Sequence, residues 1–215
     1  MHGEQETEWQ FAVPRLEAVA RLLRDTGVPG YTITPGETRR LRDTYFETPG
    51  WHISHAGYTC RLRTTRGSHE ATLKTTHESP GGLRQRQEVT EPVAGSEPGD
   101  LRSLPGPAGS LLREVAAGEP VTQLFTINTR RDIFHLADHA GFLGEIALDH
   151  ATIPAPGTNA SQHIERLEVE VTALERGTAF VEALGRVTEL EPAPMSKFQA
   201  ALLATGQQNH GRLPH

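Results

Sequence analysis

Glu4-Gln5-Glu6-Thr7-Glu8-Trp9-Gln10-Phe11 sets Glu4, Glu6, Glu8 and Gln10 on one side of an extended chain and Trp9 and Phe11 on the other. A period of two marks a strand, whose successive side chains leave opposite faces. The same alternation returns six times. It runs through Tyr58–Thr65, where Arg61 and Arg63 oppose Cys60 and Leu62, and Ala71–Thr76, where Thr72 and Lys74 oppose Leu73. It continues in Leu83–Thr90 with Arg84, Arg86 and Glu88 against Leu83 and Val89, and after Phe125, where Thr126, Asn128 and Arg130 oppose Phe125 and Ile127. Glu145, Ala147 and Asp149 oppose Ile146 and Leu148, and Arg166, Glu168 and Glu170 oppose Leu167, Val169 and Val171.

A single charged strand face ordinarily points to water. The same-sign pairs Glu6/Glu8, Arg61/Arg63 and Glu168/Glu170 argue differently, because like charges on one face repel unless a counter-ion or ligand lies between them. A shared, wet interior lined by both signs accounts for all of them. The fold class expected is therefore mainly β (α+β), a barrel with a wet interior and flanking helices. Composition agrees: hydrophobic residues make up only 36% of 215 and the mean hydropathy is −0.46.

The net charge of −6 and the pI near 6.0 argue against a broad nucleic-acid-binding face, so any anion site must come from local clusters of Arg and Lys. One cysteine, Cys60, excludes an intramolecular disulfide framework. No apolar run reaches the roughly 18 residues of a membrane span, and the N-terminus lacks a signal-peptide pattern. A cytoplasmic protein without membrane association is expected.

Helices are expected over Pro14–Arg24, with Gly27 as the stop, over Thr178–Leu190, and over Ser196–Thr205, with Ser196 as N-cap and Gly206 beyond the end. The Gly- and Pro-rich stretch Val93–Ser110 and the stretch Pro154–Ser161 read as loops within one domain, residues 1–206. Residues 207–215 form a polar tail, expected to fray.

Facing a common interior, Glu6, Glu8, Asp149, Glu168 and Glu170 offer hard oxygen ligands of the kind Mg²⁺ or Mn²⁺ prefer. Arg61, Arg63, Lys74, Arg84, Arg86 and Arg130 offer a cationic lining, the guanidinium forks matching phosphate oxygens. The combination is suited to metal-assisted phosphoryl chemistry.

In order along the chain, Glu6-Thr7-Glu8-Trp9-Gln10, Tyr45-Phe46-Glu47-Thr48, Gly57-Tyr58-Thr59-Cys60-Arg61-Leu62-Arg63 and Ala71-Thr72-Leu73-Lys74-Thr75 resemble the CYTH superfamily of triphosphate tunnel metalloenzymes. The resemblance continues through Arg86-Gln87-Glu88, Thr129-Arg130, Ala147-Leu148-Asp149-His150, Leu167-Glu168-Val169-Glu170-Val171 and Ser196-Lys197-Phe198, spanning about residues 4 to 205. It implies a closed eight-stranded antiparallel β-barrel tunnel, a small-molecule polyphosphate or phosphate-ester substrate, and dependence on Mg²⁺ or Mn²⁺. It makes Glu6, Glu8, Asp149, Glu168 and Glu170 metal ligands, with Glu88 a supporting carboxylate. Arg61, Arg63, Lys74, Arg86, Arg130 and Lys197 would grip the phosphates. Arg130 is preferred over Arg131 because it shares the parity of Thr126 and Asn128. Glu6, Glu8, Gln10, Arg61, Arg63 and Lys74 are the expected catalytic set.

The chain departs from the ExExK signature at Gln10, a neutral amide where the family carries lysine. The expected activity is a metal-dependent phosphohydrolase cleaving an inorganic or small organic triphosphate, or a diphosphate. Two alternatives stand beside it: a class IV-type adenylyl cyclase, and a polyphosphate- or nucleotide-binding module without turnover, which Gln10 favours. The pairs His135/His139 and His52/His55 lack companion ligands and read as packing or surface residues, and Cys60 reads as a buried, inert thiol.

Overall fold

The computed structural model describes residues 4–76, 80–94, 101–154 and 161–207. Among these residues nine strands form: β1 (Glu4–Ala12), β2 (Thr32–Glu47), β3 (Tyr58–Thr65), β4 (Ser68–Thr75), β5 (Leu83–Pro92), β6 (Thr122–Asp138), β7 (Gly141–Pro154), β8 (Ser161–Val171) and the two-residue β9 (Glu191–Pro192). They pair antiparallel in the order β5-β4-β3-β2-β6-β7-β8-β1, and β1 pairs back onto β5, closing an eight-stranded barrel. β1 closes it by serving both neighbours, β5 along Glu4–Trp9 and β8 along Glu8–Ala12, while β9 extends it at Phe11 and Ala12. Closure satisfies the backbone groups that an open sheet would leave bare at its edges.

Helices cover two parts of the outer wall. The first is α1 (Leu16–Arg21), which runs into a wider turn over Leu22–Thr26, together with α4 (Leu174–Gly185). Their Leu16, Val19, Leu23, Phe180 and Leu184 pack with Phe134, Ile146, Leu148, Leu167 and Val169, the outward residues of β6 to β8. The second part lies under α2 (His52–His55) and α3 (Pro107–Val115), where Ile53, Leu111 and Leu112 meet Phe46, Cys60, Leu62 and Leu73. A third cluster fills one end of the barrel from within: Tyr45, Phe125, Ile127, Ile153 and Ile164 pack on Phe198, Ala201 and Leu202 of α5 (Lys197–Thr205). The rings of Tyr45, Phe125 and Phe198 lie 5.2–5.6 Å apart.

α5 begins and stops as its sequence dictates. The Ser196 hydroxyl accepts from Gln199 N, the Gln199 side chain accepts from Ser196 N, and Gly206 ends the helix at φ +67°. The other two expected helices shift: the first starts at Leu16, after Pro14, and α4 occupies Leu174–Gly185 in place of Thr178–Leu190.

One expectation fails and one strand goes unseen for the same reason, dense Gly and Pro. The supposed loop Val93–Ser110 contains a 3₁₀ turn at Leu101–Ser103 and the start of α3. Pro107 occupies the first turn of α3, and the buried Glu91 carboxylate accepts from Gly106 N (2.7 Å) and Gly109 N (3.1 Å), capping it. A side chain at Gly109 would stand 2.1 Å from the Leu104 carbonyl oxygen, so the glycine is there for close approach. Likewise β2 escapes the alternation, because Pro35 and Gly36 and a charged run precede its apolar half; its register with β6 shifts between Pro35 and Thr38. Residues 95–100 and 155–160 of the two expected loops, and 208–215 of the tail, lie outside the described residues.

Candidate active site

The inward faces of the strands enclose a cavity of about 1320 Å³ open to solvent. Glu6, Glu8, Gln10, Arg61, Arg63, Lys74, Arg84, Arg86, Glu88, Glu168, Glu170 and Lys197, all singled out in the sequence, line it. Asp149 belongs to the same cluster but is wholly buried behind Arg131 and Lys197.

Strand register explains this convergence, because directly paired residues share a face. Glu6 pairs with Arg86 and Glu8 with Arg84 across β1 and β5, Lys74 with Glu88 across β4 and β5, and Glu8 with Glu170 and Gln10 with Glu168 across β1 and β8. The charges are organised into three ionic groups. Lys74 Nζ bridges Glu6 (2.6 Å) and Glu88 (2.5 Å), and Arg86 engages Glu8 and, at 3.5 Å, Glu6. Arg63 holds Asp43 with two hydrogen bonds of 2.7 and 2.8 Å, and Arg61 lies 4.0 Å away. Arg131 forks onto Asp149 (2.7 Å to each oxygen) and reaches Glu168 (2.5 Å), while Lys197 contacts Asp149 and Glu168 (2.9 Å).

Arg130 is a correction. Its side chain is 51% exposed on the outer wall and pairs with Asp132 at 2.9 Å, whereas Arg131 is 17% exposed and lines the tunnel. The parity rule placed apolar residues outside everywhere. Phe125 and Ile127 instead point into the barrel, where they meet α5, and Arg131 is in phase with them. Alternation alone missed Asp43, too. Leu41-Arg42-Asp43-Thr44-Tyr45 does alternate, and Asp43 is paired in register with Arg63, but the charges that precede it mask the pattern.

Burial opposes ionisation of Asp43, yet the guanidiniums of Arg61 and Arg63 win and hold its carboxyl well below the usual carboxylate range. Glu168 behaves alike: Lys197 and Arg131 overcome its burial and hold it low. Their contributions to stability are present at neutral pH and lost in acid. Glu170 goes the other way. Partial enclosure, then the neighbouring Glu6 and Glu88 carboxylates, push it up to about 7, with Lys74 only partly offsetting them. An acid whose folded pKa is raised contributes stability that is full below its unfolded value, 4.5, and fades as pH rises through about 7. In metal-free protein, Glu170→Gln is therefore expected to flatten the fall of Tm between about pH 4.5 and 7; a slope unchanged from wild type would overturn the assignment.

That raised pKa also bears on metal binding. Glu6 and Glu88 share the ammonium of Lys74, Arg86 also reaches Glu6, and the Glu170 carboxyl stands close enough to Glu6 and Glu88 to be raised by them. A hard divalent cation suits this oxygen-only donor set. Among the described residues no three His, Cys, Asp or Glu side chains converge on one point, because cations stand between the carboxylates. His52 and His135 instead pair with Glu119 (3.3 Å) and Glu145 (3.4 Å).

A closed antiparallel barrel whose interior carries paired carboxylates, arginines and lysines defines the triphosphate-tunnel class of fold. The CYTH domain model matches residues 4–199, and the chain belongs to that family. Members of the family are generally metal-dependent triphosphatases. Similar solved structures include a Hippeastrum protein described as an adenylyl cyclase candidate with dominant triphosphatase activity, at TM-score 0.70 and 14% identity over 93% of this chain and 96% of that one. A candidate adenylate cyclase from Bacillus halodurans has TM-score 0.63 and 21% identity over 93% and 98%. Protein PH1819 of Pyrococcus horikoshii has 0.57 and 14% over 92% and 98%. At these identities the likeness is one of fold. No curated protein matches the chain. No helix among the described residues is long and apolar enough to cross a membrane.

Proposed function

We propose that this chain is a divalent-metal-dependent phosphohydrolase that cleaves a triphosphate, inorganic or small organic, or a diphosphate, held in the tunnel. The observation that carries the reading is the interleaving of Glu6, Glu8, Glu88, Glu168 and Glu170 with Arg61, Arg63, Lys74, Arg86, Arg131 and Lys197 in one cavity.

In the ligand-free state these groups neutralise one another. A polyphosphate entering the tunnel offers its oxygens to Lys74, Arg86, Arg61 and Arg63, which exchange carboxylate partners for phosphate ones. Glu6, Glu8, Glu88 and Glu170, freed of those partners, would hold Mg²⁺ or Mn²⁺. A bound divalent cation supplies charge neutralisation and Lewis acidity on the phosphate chain. The arginines and lysines hold the non-bridging oxygens as charge builds on the leaving group. Because α5 and its aromatic cluster fill one end, the chain of phosphates enters from the other.

Phosphate release from tripolyphosphate, pyrophosphate, thiamine triphosphate, ATP, GTP and a prenyl diphosphate, each with Mg²⁺, Mn²⁺ or EDTA, tests the proposal. EDTA-sensitive release from one of them is the expected result. Cyclic AMP from ATP would replace hydrolysis by cyclase chemistry. A second reading, binding without turnover, is favoured by Gln10, whose amide Nε2 donates to Glu8 Oε1 (2.8 Å) and brings no charge. Silence across the panel with calorimetric binding of tripolyphosphate would establish it.

A further inference from the structure

A second, smaller cavity of about 340 Å³ lies on the outside of the barrel, between α1 and the outward faces of β6 and β7. Arg21 and Arg24 line it from α1 and the turn that follows, Arg130 and Asp132 from β6, and Leu148 and His150 from β7. It shares no lining residue with the tunnel. Strand register sets the two back to back: Arg130 pairs with His150 on the outside, and the next rung, Arg131 with Asp149, belongs to the ionic network within.

The charge around this outer cavity is unbalanced. Arg130 stands directly opposite the exposed Arg40 across β6 and β2, and like charges so placed repel unless an anion lies between them. Asp132 answers part of this, but the carboxylate that holds Arg130 (2.9 Å) also accepts from the Thr38 hydroxyl (2.6 Å). Among the described residues Arg21 and Arg40 form no ion pair. Arg24 lies over the Phe134 ring, its guanidinium carbon 5.6 Å from the centroid, a contact that restrains the side chain without using its donors. Glu165 serves elsewhere, paired with His150 (3.4 Å) and accepting from Leu16 N (3.3 Å). Glu17, four residues before Arg21, is the other acid of the lining and offsets one guanidinium. Arg21, Arg24, Arg40 and Arg130 thus face only Asp132 and Glu17, a local excess of positive charge in a chain whose net charge is −6.

We propose that the outer cavity is a second anion site, separate from the tunnel, which takes one phosphate-type oxyanion between Arg21, Arg24 and Arg130, beside His150. Guanidinium forks arriving from α1, the turn and β6 match the several oxygens of a tetrahedral anion. The volume is at the low end for small-molecule sites, enough for a phosphate or a mononucleotide. The site goes beyond the hydrolase reading and stands whether or not the tunnel turns a substrate over.

His150 supplies the readout: its imidazole NMR signal, identified by its loss in His150→Gln, reports on this cavity. Inorganic phosphate added to the whole chain in EDTA, at fixed pH and ionic strength, is expected to shift that signal along a saturating curve. Arg21→Gln and Arg24→Gln, both on the surface, should each weaken phosphate about tenfold, the scale of one charge-assisted contact. The two substitutions together should abolish saturation. Arg61→Gln, inside the tunnel, should respond like wild type. The same titration with AMP distinguishes the sources of the anion: a midpoint equal to that of phosphate assigns the site to the free ion, and a tighter one assigns it to a nucleotide. A shift that never saturates would overturn the site. So would one that persists in the Arg21→Gln and Arg24→Gln double variant or vanishes in Arg61→Gln, because the signal would then be reporting phosphate in the tunnel through the shared strands.

Discussion

Lys74→Met is expected to lower turnover of the best panel substrate by a factor on the order of 10² to 10³, the effect of removing one preorganised charge from a phosphoryl-transfer site. Lys74 Nζ lies within 2.6 Å of Glu6 and within 2.5 Å of Glu88, and its side chain is only 16% exposed. Without it two carboxylates face each other, and with Glu170 nearby the cluster has three acids and no ammonium. The metal-free variant should therefore lose stability, by about 2–3 kcal/mol on the scale of breaking a partly buried pair. Millimolar Mg²⁺ or Mn²⁺ should restore much of that loss, because a cation then meets the freed oxygens. Thermal melts with and without metal check this. A variant that keeps wild-type rates would remove Lys74 from the site, and one that melts lower without any metal rescue would remove the acids as metal ligands.

Glu168→Gln carries the second large effect, of a different kind. Glu168 accepts from Arg131 and Lys197 and stands beside the fully buried Asp149, so four charged groups balance two against two. An amide in its place leaves two cations with one carboxylate, and breaking such a buried network costs about 3–5 kcal/mol. Turnover should vanish and the urea midpoint fall together. Glu170, which is open to the tunnel and has a raised pKa, gives the contrast: Glu170→Gln should abolish metal-dependent turnover while the metal-free midpoint at neutral pH rises, because the cost of ionising Glu170 is removed. If both variants unfolded alike, the separation into a buried anchor and an open ligand would fail.

Much of this site was legible because the strand period is two. Same-sign pairs such as Arg61/Arg63 and Glu168/Glu170 direct their strands at one interior, and the register joins them there. What escaped did so for physical reasons. Arg131 was hidden because the barrel interior is not uniformly polar, and the aromatic plug makes an apolar residue a marker of the inside at that end. Asp43 and β2 were hidden by Pro35 and Gly36, which break the alternation without ending the strand. α3 was hidden because Gly109 serves close packing against Leu104 and not a turn.

The single cysteine has its own use. Cys60 sits on the outward face of β3, fully buried under α2 and α3, and burial and then the Glu47 carboxylate push its thiol up to about 12. Only a thiolate reacts, so an alkylating reagent meets nothing in the closed molecule. Labelling must then wait for the helical cover to lift or the barrel to open, and its rate in native buffer times that opening. The protein thus carries a built-in clock for the motion of one wall, one that needs no engineered probe and would show directly whether filling the tunnel stiffens it.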